Sequence, residues 1–394
     1  MNITIVGGGF GGVKAALELA KEATNHITLI TNKPNFQYYP ALYGAVTEKS
    51  HLEFWVPLSK IFTGKKNVTI KIDTITKINP HAKTLVGKTE TYKYDKCILA
   101  LGTVTTYFGI EGLDTFSYGI KSAEEIKRLK HHLRTDIVEN HTIDKHYVIV
   151  GAGPTGVELS SALGAYLHKL CTYHGIKNPK IHINLIEAAP RVLPRMSKRS
   201  SDRVANRLKK LGVHIQTGKA VESATADTIM VSGRPIKSQT IIWTSGVANN
   251  PFYKENAEHF TFAKNGRVEV NEYMQTKDGI YVIGDNAATT FTGLAQTALH
   301  DALFVAGNLK RKSAGETPKK YKAVMPPVVV PVGEGWAVFE WHGLRLSGWS
   351  ASVLRRAADF IGYSDMLPLG QALGVWRASL VDDEDYLILD ETEK

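Results

Sequence analysis

Asn2-Ile3-Thr4-Ile5-Val6-Gly7-Gly8-Gly9-Phe10-Gly11-Gly12 passes from a β-branched apolar run into a glycine turn, and Val13 to Lys21 then reads as a helix. The first five residues are too apolar for an exposed edge and predict a buried parallel strand. Strand, G-x-G-x-x-G turn and helix in that order form a dinucleotide-binding fingerprint. Gly7, Gly9, Gly11 and Gly12 let backbone N–H groups come close to a pyrophosphate, and the helix N-terminus opening at Phe10 adds partial positive charge.

The same pattern recurs. His146-Tyr147-Val148-Ile149-Val150 is a second strand, Gly151-Ala152-Gly153-Pro154-Thr155-Gly156 the loop, and Val157-Glu158-Leu159-Ser160 opens the helix. Two complete fingerprints predict two bound nucleotides. They also predict an α/β fold with two Rossmann-like domains, the second inserted in the first.

The two units differ where an acid usually grips ribose hydroxyls. Ile27-Thr28-Leu29-Ile30 ends in Thr31-Asn32, which offer hydrogen bonds without charge. Ile183-Asn184-Leu185-Ile186 ends in Glu187, which suits a free 2′-hydroxyl and repels a 2′-phosphate, favouring NADH over NADPH. Arg191 and Arg195 nearby soften that preference.

Other stretches are expected to return to these loops. Phe36-Gln37-Tyr38-Tyr39-Pro40-Ala41-Leu42-Tyr43 reads either as core packing or as the wall of a flat ring system. Lys96-Cys97-Ile98-Leu99-Ala100 turns at Leu101-Gly102, and Thr240–Trp243 delivers Ser245 and Gly246. Gly279–Ile283 delivers Gly284 and Asp285, an acid suited to a ribityl hydroxyl. The helix opening at Ala295-Gln296 points at the same place and carries His300. Domain limits fall at 1–120 and 265–325 for the first unit, 121–264 for the second, and 326–394 for a C-terminal region.

In that last region Val328–Val332 and Trp336–Glu340 read as strands and Trp349 to Tyr363 as a helix. Trp349, Val353, Ala357, Phe360 and Ile361 share one face, with Arg355, Arg356 and Asp359 turned away. With the apolar run Met366–Trp376 this suggests an interfacial helix pair; a dimer face, or a helix packed on the body, is the alternative.

The charge of +10 hides an asymmetry. The segment 382–394 carries seven acids and one lysine, so the remainder holds 47 bases against 31 acids, a net +16. An anionic membrane surface, met through residues 345–380, is the expected partner rather than nucleic acid. A strand starting at residue 2 leaves no room for a signal peptide, and no run approaches 18 apolar residues. The expectation is therefore a cytosolic protein, or one held peripherally on the cytoplasmic face of the cell membrane. Cys97 and Cys171, the two cysteines, stand far apart, and Cys97 reads as an inert core thiol. No metal-ligand spacing is present.

Together these residues resemble the type II NADH dehydrogenases, single-subunit NADH:quinone oxidoreductases of the two-dinucleotide-binding flavoproteins. The most specific pieces are Ile3–Gly12, Gly151–Glu158, Glu187 with Pro190-Arg191-Val192-Leu193-Pro194, Ile242–Val247, Gly284-Asp285 and Ala295-Gln296. The resemblance implies FAD on the first loop and NADH on the second, with a quinone as acceptor. It implies FAD contacts at Gly7–Gly12, Thr31, Asn32, Tyr39, Pro40, Ile75, Ala100, Gly102, Gly284, Asp285, Ala295 and Gln296. NADH contacts are implied at Gly151, Gly153, Thr155, Gly156, Glu158, Glu187, Ser245 and Gly246. Catalytic roles fall to Glu158, Gln296 and His300, with Glu158 orienting the nicotinamide or relaying protons. The chain departs from the family at Thr31, at Ala100-Leu101-Gly102 (usually Ala-Thr-Gly), and at His300, which stands where a second glutamine is usual.

Sulfide:quinone and disulfide reductases share the general pattern but work through cysteine pairs that this sequence does not supply. From another class, a flavin-bearing, NADH-responsive interaction protein with slow turnover also accommodates the pattern, as does a related flavoprotein with a non-quinone acceptor.

Overall fold

The computed structural model describes residues 1–47, 49–50 and 53–378. The acidic segment 382–394, with Tyr386–Leu389, lies outside the described residues.

Two five-stranded parallel sheets carry the molecule, and they are built alike. The first runs Tyr281–Val282, Lys96–Leu99, Asn2–Val6, His26–Thr31, Val68–Ile72. The second runs Ser117–Tyr118, Thr240–Trp243, Tyr147–Val150, Ile183–Glu187, Val213–Thr217. In each, the strand before a glycine loop sits centrally, buried on both faces as its unbroken apolar run requires. The first glycine of each loop donates its N–H to the strand after the helix, Gly7 to Ile30 and Gly151 to Ile186. Helices Phe10–Leu19 and Pro154–Tyr173 leave these loops.

The glycines divide by what surrounds them. A Cβ on Gly12 would strike the Gly7 carbonyl oxygen, and one on Gly156 the Gly151 carbonyl oxygen. Gly7 and Gly151 also hold φ of 118° and 107°, conformations that L side chains rarely adopt. Gly9 and Gly153 are different: a Cβ there would meet nothing within 4 Å, so each loop keeps one open side.

A charged helix, Ala123–Arg134, started by a capping box between Ser122 and Glu125, follows the first strand of the second sheet. Beyond the second sheet, Val328–Pro331, Ala337–Trp341 and Leu344–Gly348 form an antiparallel sheet, and helix Trp349–Ser364 packs on it. The sequence reading contained two of these strands; Leu344–Gly348 is additional. Both cysteines are buried, and burial raises the pKa of both thiols.

Helix Trp349–Ser364 keeps the two expected stripes apart and gives the polar one interior partners. Arg355 and Asp359 do not face solvent; Arg355 is 9% exposed and the two are joined inside the protein, Nε to Oδ2 at 2.8 Å. The apolar stripe is the outer one, with Trp349 76%, Val353 47% and Ile361 62% exposed. Two interior acids and a buried backbone carbonyl supply the reason, and they belong to the site.

Candidate active site

Both glycine loops are completed by side chains from distant strands. At the first, the Gly7 Cβ position is filled by the carbonyl of Ala100, so the turn at Ala100–Gly102 lies against the loop. Thr31 is 5% exposed and its hydroxyl pairs with the backbone of Lys33, so near to Gly8 that a Cβ there would meet it at 2.7 Å. Asn32 is exposed. Ile75 is buried just past Asp73, whose N–H donates to the Thr31 carbonyl.

Gly284-Asp285 approaches from the same sheet. The Gly284 N–H donates to Asp301, a fully buried acid that also receives the Tyr321 hydroxyl at 2.6 Å. Helix Ala295–Ser313 thereby locks the Gly284 turn, while its first residues reach Gly11, whose Cβ position lies 3.5 Å from the Ala298 carbonyl. Burial raises the Asp285 carboxyl above its ordinary value, with Arg267 and Lys121 pulling the other way. Tyr39 is 51% exposed, yet burial raises its phenol.

At the second loop, Glu187 receives the Ala152 N–H at 2.7 Å on one carboxylate oxygen and the Ala189 N–H at 2.8 Å on the other. It is thus fixed beside the loop with lone pairs to spare. Arg191 is turned to the carbonyls of Met196 and Pro194, so one of the two guanidiniums expected to weaken Glu187's preference is occupied. Ser245 packs on Gly151, and Gly246 accepts a hydrogen bond from Lys121 at 3.2 Å.

Glu158 sits two residues beyond the second loop, 7% exposed. Its Oε1 lies 3.4 Å from Nη1 of Arg355, which also donates through Nη2 to the Pro40 carbonyl at 2.6 Å. Asp359 takes Nε of the same guanidinium and, on its other oxygen, the Tyr38 hydroxyl at 3.1 Å. Burial pushes the Glu158 carboxyl up to about 8, against the pull of Arg355. Burial outweighs attraction here because Arg355 is shared with Asp359, whose contact is shorter. A buried acid with that affinity can hold or release a proton near neutrality, the property required of a group serving acid–base chemistry. Arg355, Asp359, Lys121 and Asp301 were not expected in the site, and Tyr38 was expected only within an aromatic stretch.

The remaining predicted residues are placed less closely. Gln296 is exposed at the start of its helix. His300, one turn on, has Nε2 3.0 Å from the Lys322 carbonyl and its ring against Tyr321, so its outer nitrogen is engaged by backbone. Among the described residues no cluster of His, Cys, Asp or Glu is arranged to hold a metal ion.

The open side at Gly9 and Gly153, the half-exposed phenol of Tyr39 and the fixed carboxylate of Glu187 fit two dinucleotides, one of them carrying a ring system. Known proteins agree. The description of the pyridine nucleotide-disulphide oxidoreductase family matches residues 1–302. The type II NADH:quinone oxidoreductase Ndh of Mycobacterium tuberculosis is 31% identical over 341 residues, 80% of this chain and 73% of that one. A type II NADH:quinone oxidoreductase of Staphylococcus epidermidis is 27% identical, covering 91% of this chain and 94% of its own. Among solved structures, NDH2 from Plasmodium falciparum in complex with NADH superposes with a TM-score of 0.83 at 17% identity, over 96% and 97% of the two chains. The sulfide:quinone oxidoreductase of Aquifex aeolicus gives 0.76 at 18% identity, over 100% of this chain and 95% of that one.

Proposed function

The chain belongs to the type II NADH:quinone oxidoreductases, within the pyridine nucleotide-disulphide oxidoreductase family, and from that premise we propose how its residues divide the work. It is an FAD-dependent enzyme that oxidises NADH and reduces a quinone. FAD held by these residues would supply the redox chemistry that joins NADH oxidation to quinone reduction.

The Gly7–Gly12 loop holds the FAD pyrophosphate, with Thr31 and Asp285 on its hydroxyls and Tyr39 beside its ring. The Gly151–Gly156 loop holds the NADH pyrophosphate, and Glu187 takes the adenosine ribose. The first unit and residues 265–325 form the FAD domain and the second unit the NADH domain, and the expected limit at 120 moves to before Ser117, because Ser117–Tyr118 pairs with Thr240–Trp243 in the second sheet. Glu158 holds a proton beside the reacting rings, and Arg355 fixes where that carboxyl stands. Gln296 and His300 flank the acceptor.

The observation that carries this reading is the asymmetry behind two otherwise matching loops. Glu187 is fixed by two backbone N–H groups, while Thr31 offers only a hydroxyl. The charged strand end suits a co-substrate that must be recognised at every turnover; the uncharged one suits a resident cofactor. Stopped-flow spectra on the yellow protein test it: NADH should bleach the flavin faster than NADPH, and a menaquinone or ubiquinone analogue should restore it. Flavin that no quinone restores would return the chain to a binding role.

The same reading places the protein on a membrane surface through Trp349, Val353, Ile361 and Leu369, which are 76%, 47%, 62% and 68% exposed. No helix among the described residues is long and apolar enough to cross a membrane. The net +16 of the rest of the chain favours anionic lipid and peripheral attachment at the cytoplasmic face; self-association through the same stripe is the competing outcome.

A further inference from the structure

Asp359 has no part in the chemistry above, yet it has the better hold on the guanidinium beside Glu158. Its Oδ2 receives Nε of Arg355 at 2.8 Å, whereas Nη1 stands 3.4 Å from Glu158. That Nη1 is divided further, lying 3.4 Å from the Val329 carbonyl as well. Nη2 goes to the Pro40 carbonyl at 2.6 Å. Among the described residues Arg355 is the one donor that the Glu158 carboxyl meets. Both carboxyls are interior, so each depends on what the protein offers it rather than on water.

Asp359 is also held where it stands. Its Oδ1 accepts the Tyr38 hydroxyl at 3.1 Å, and the Tyr38 ring packs 4.3 Å from Tyr363 and 5.6 Å from Phe10 of the first loop's helix. Gly362 leaves the room, since a Cβ there would come within 2.6 Å of that hydroxyl. Arg355 and Asp359, one helical turn apart, thus latch onto the same short stretch, residues 38–40. Tyr43 stands within electrostatic reach of both acids and of the guanidinium. Tyr363 and the buried acid Glu53 face the Arg355–Asp359 pair, and the Tyr363 hydroxyl is spent on the Glu53 carbonyl. One buried cation cannot serve two carboxylates equally. The acid with the short contact and a hydroxyl on its other oxygen takes the charge, and the other keeps its proton. Burial weighs most in raising the Glu158 carboxyl to about 8; Arg355 pulls the other way and Asp359 adds to the rise.

We propose that Asp359 is a positioning residue for quinone reduction: it keeps the Arg355 guanidinium to itself and so leaves Glu158 as the acid that carries the transferable proton. The proposal rests on the NADH:quinone reading. In that reaction NADH, one proton and a quinone give NAD⁺ and a quinol: NADH supplies two electrons and one proton, water the other proton. At the protein the Glu158 O–H bond breaks as a quinol O–H bond forms, and the carboxylate then regains its proton from water. The fixed charge of Asp359 disfavours a second carboxylate beside it and so favours that return to the acid.

Infrared titration of the intact, FAD-loaded protein follows the C=O band of protonated carboxyls, and the part of it lost on adding Glu158→Gln belongs to Glu158. In the parent that part should disappear near pH 8. In Asp359→Asn, Glu158 is left as the counter-charge of a buried guanidinium, and its band should disappear about 1–3 pH units lower. Asp359→Glu should bring it back towards the parent position. In stopped flow, the pH profile of flavin reoxidation by a quinone should move down with the band in Asp359→Asn. An aspartate of structural importance alone would slow the step at every pH and move neither midpoint. Midpoints in Asp359→Asn that superimpose on the parent's overturn the proposal. If Asp359→Asn does not fold, Tyr38→Phe, which strips Asp359 of its second donor, should move the Glu158 band the same way by less, and no movement there overturns it as well. A shifted band in a protein whose flavin no quinone reoxidises would leave Asp359's hold on Arg355 standing and sink the quinone reading instead.

Discussion

Arg355 and Glu158 are 197 positions apart in the chain and 3.4 Å apart in the protein, and that contact ties the helix Trp349–Ser364 to the second nucleotide loop. The guanidinium is bound on every side: Asp359, Glu158, and the carbonyls of Pro40 and Val329. Arg355→Met should cost about 3–5 kcal/mol, because Asp359 would remain buried without its counter-charge. Arg355→Lys keeps the charge but cannot fork to several partners, so its loss should be intermediate. Urea unfolding at neutral pH measures both.

Glu158 predicts how stability depends on pH. Its affinity is raised, so above about pH 4.5 the unfolded chain ionises it while the folded protein keeps the proton until about pH 8. The unfolded state then binds fewer protons, and stability falls as pH rises through that window and levels off above it. For this one group the fall is on the order of 5 kcal/mol. Glu158→Gln should flatten that part of the curve. A pH–stability curve unchanged in shape would show that the carboxyl is ionised in the fold.

Glu187 should govern nucleotide choice. Replacing it with Gln keeps the shape and removes the charge, and a hydrogen bond to a charged group is worth about 1.5–3 kcal/mol. The KM for NADH should rise roughly 10- to 100-fold, with little change in kcat, and the preference over NADPH should shrink. Steady-state kinetics with both nucleotides decide it.

Two glycines of one loop should behave oppositely. Gly12→Ala drives a methyl into the Gly7 carbonyl and should give misfolded or flavin-free protein. Gly9→Ala meets no protein atom within 4 Å, so it should fold with near-normal stability and yet hold FAD more weakly. Flavin absorbance per polypeptide, beside a melting curve, separates the cases. Full flavin in Gly9→Ala would mean that the pyrophosphate lies elsewhere.

The outward stripe of helix Trp349–Ser364 makes a membrane prediction. Burying a large apolar side chain is worth about 1.5–3 kcal/mol. Trp349→Glu with Ile361→Glu should therefore reduce co-sedimentation with anionic vesicles at least about 10-fold while leaving the melting temperature in place. A smaller oligomer with unchanged vesicle binding would identify the stripe as a subunit contact.

The two loops were legible because everything that makes them is local: an apolar strand, glycines at fixed spacing, a helix. Glu187 was legible for the same reason, by its place at a strand end. Helix Trp349–Ser364 and its two stripes were found, but the partners of its polar stripe were not. Periodicity separates a polar stripe from an apolar one without saying which meets water, and here the polar stripe answers Pro40, Tyr38 and Glu158 from far back in the chain. Glu53 had no pattern to betray it. Asp301 did: it stands among Ala298, Leu299, Ala302 and Val305, all buried, in a helix whose apolar face it interrupts. A lone acid on such a face signals a buried partner, and the Gly284 N–H is that partner.

Arg355 also imposes an order in time. A ribosome delivers both glycine loops and Glu158 long before it delivers the guanidinium, which follows 197 residues later. A nascent chain can close its nucleotide pockets while the acids beside them are still without their cation. The pocket acquires that cation only when helix Trp349–Ser364 docks, so the laying down of the exposed apolar stripe and the readiness of the interior are one event.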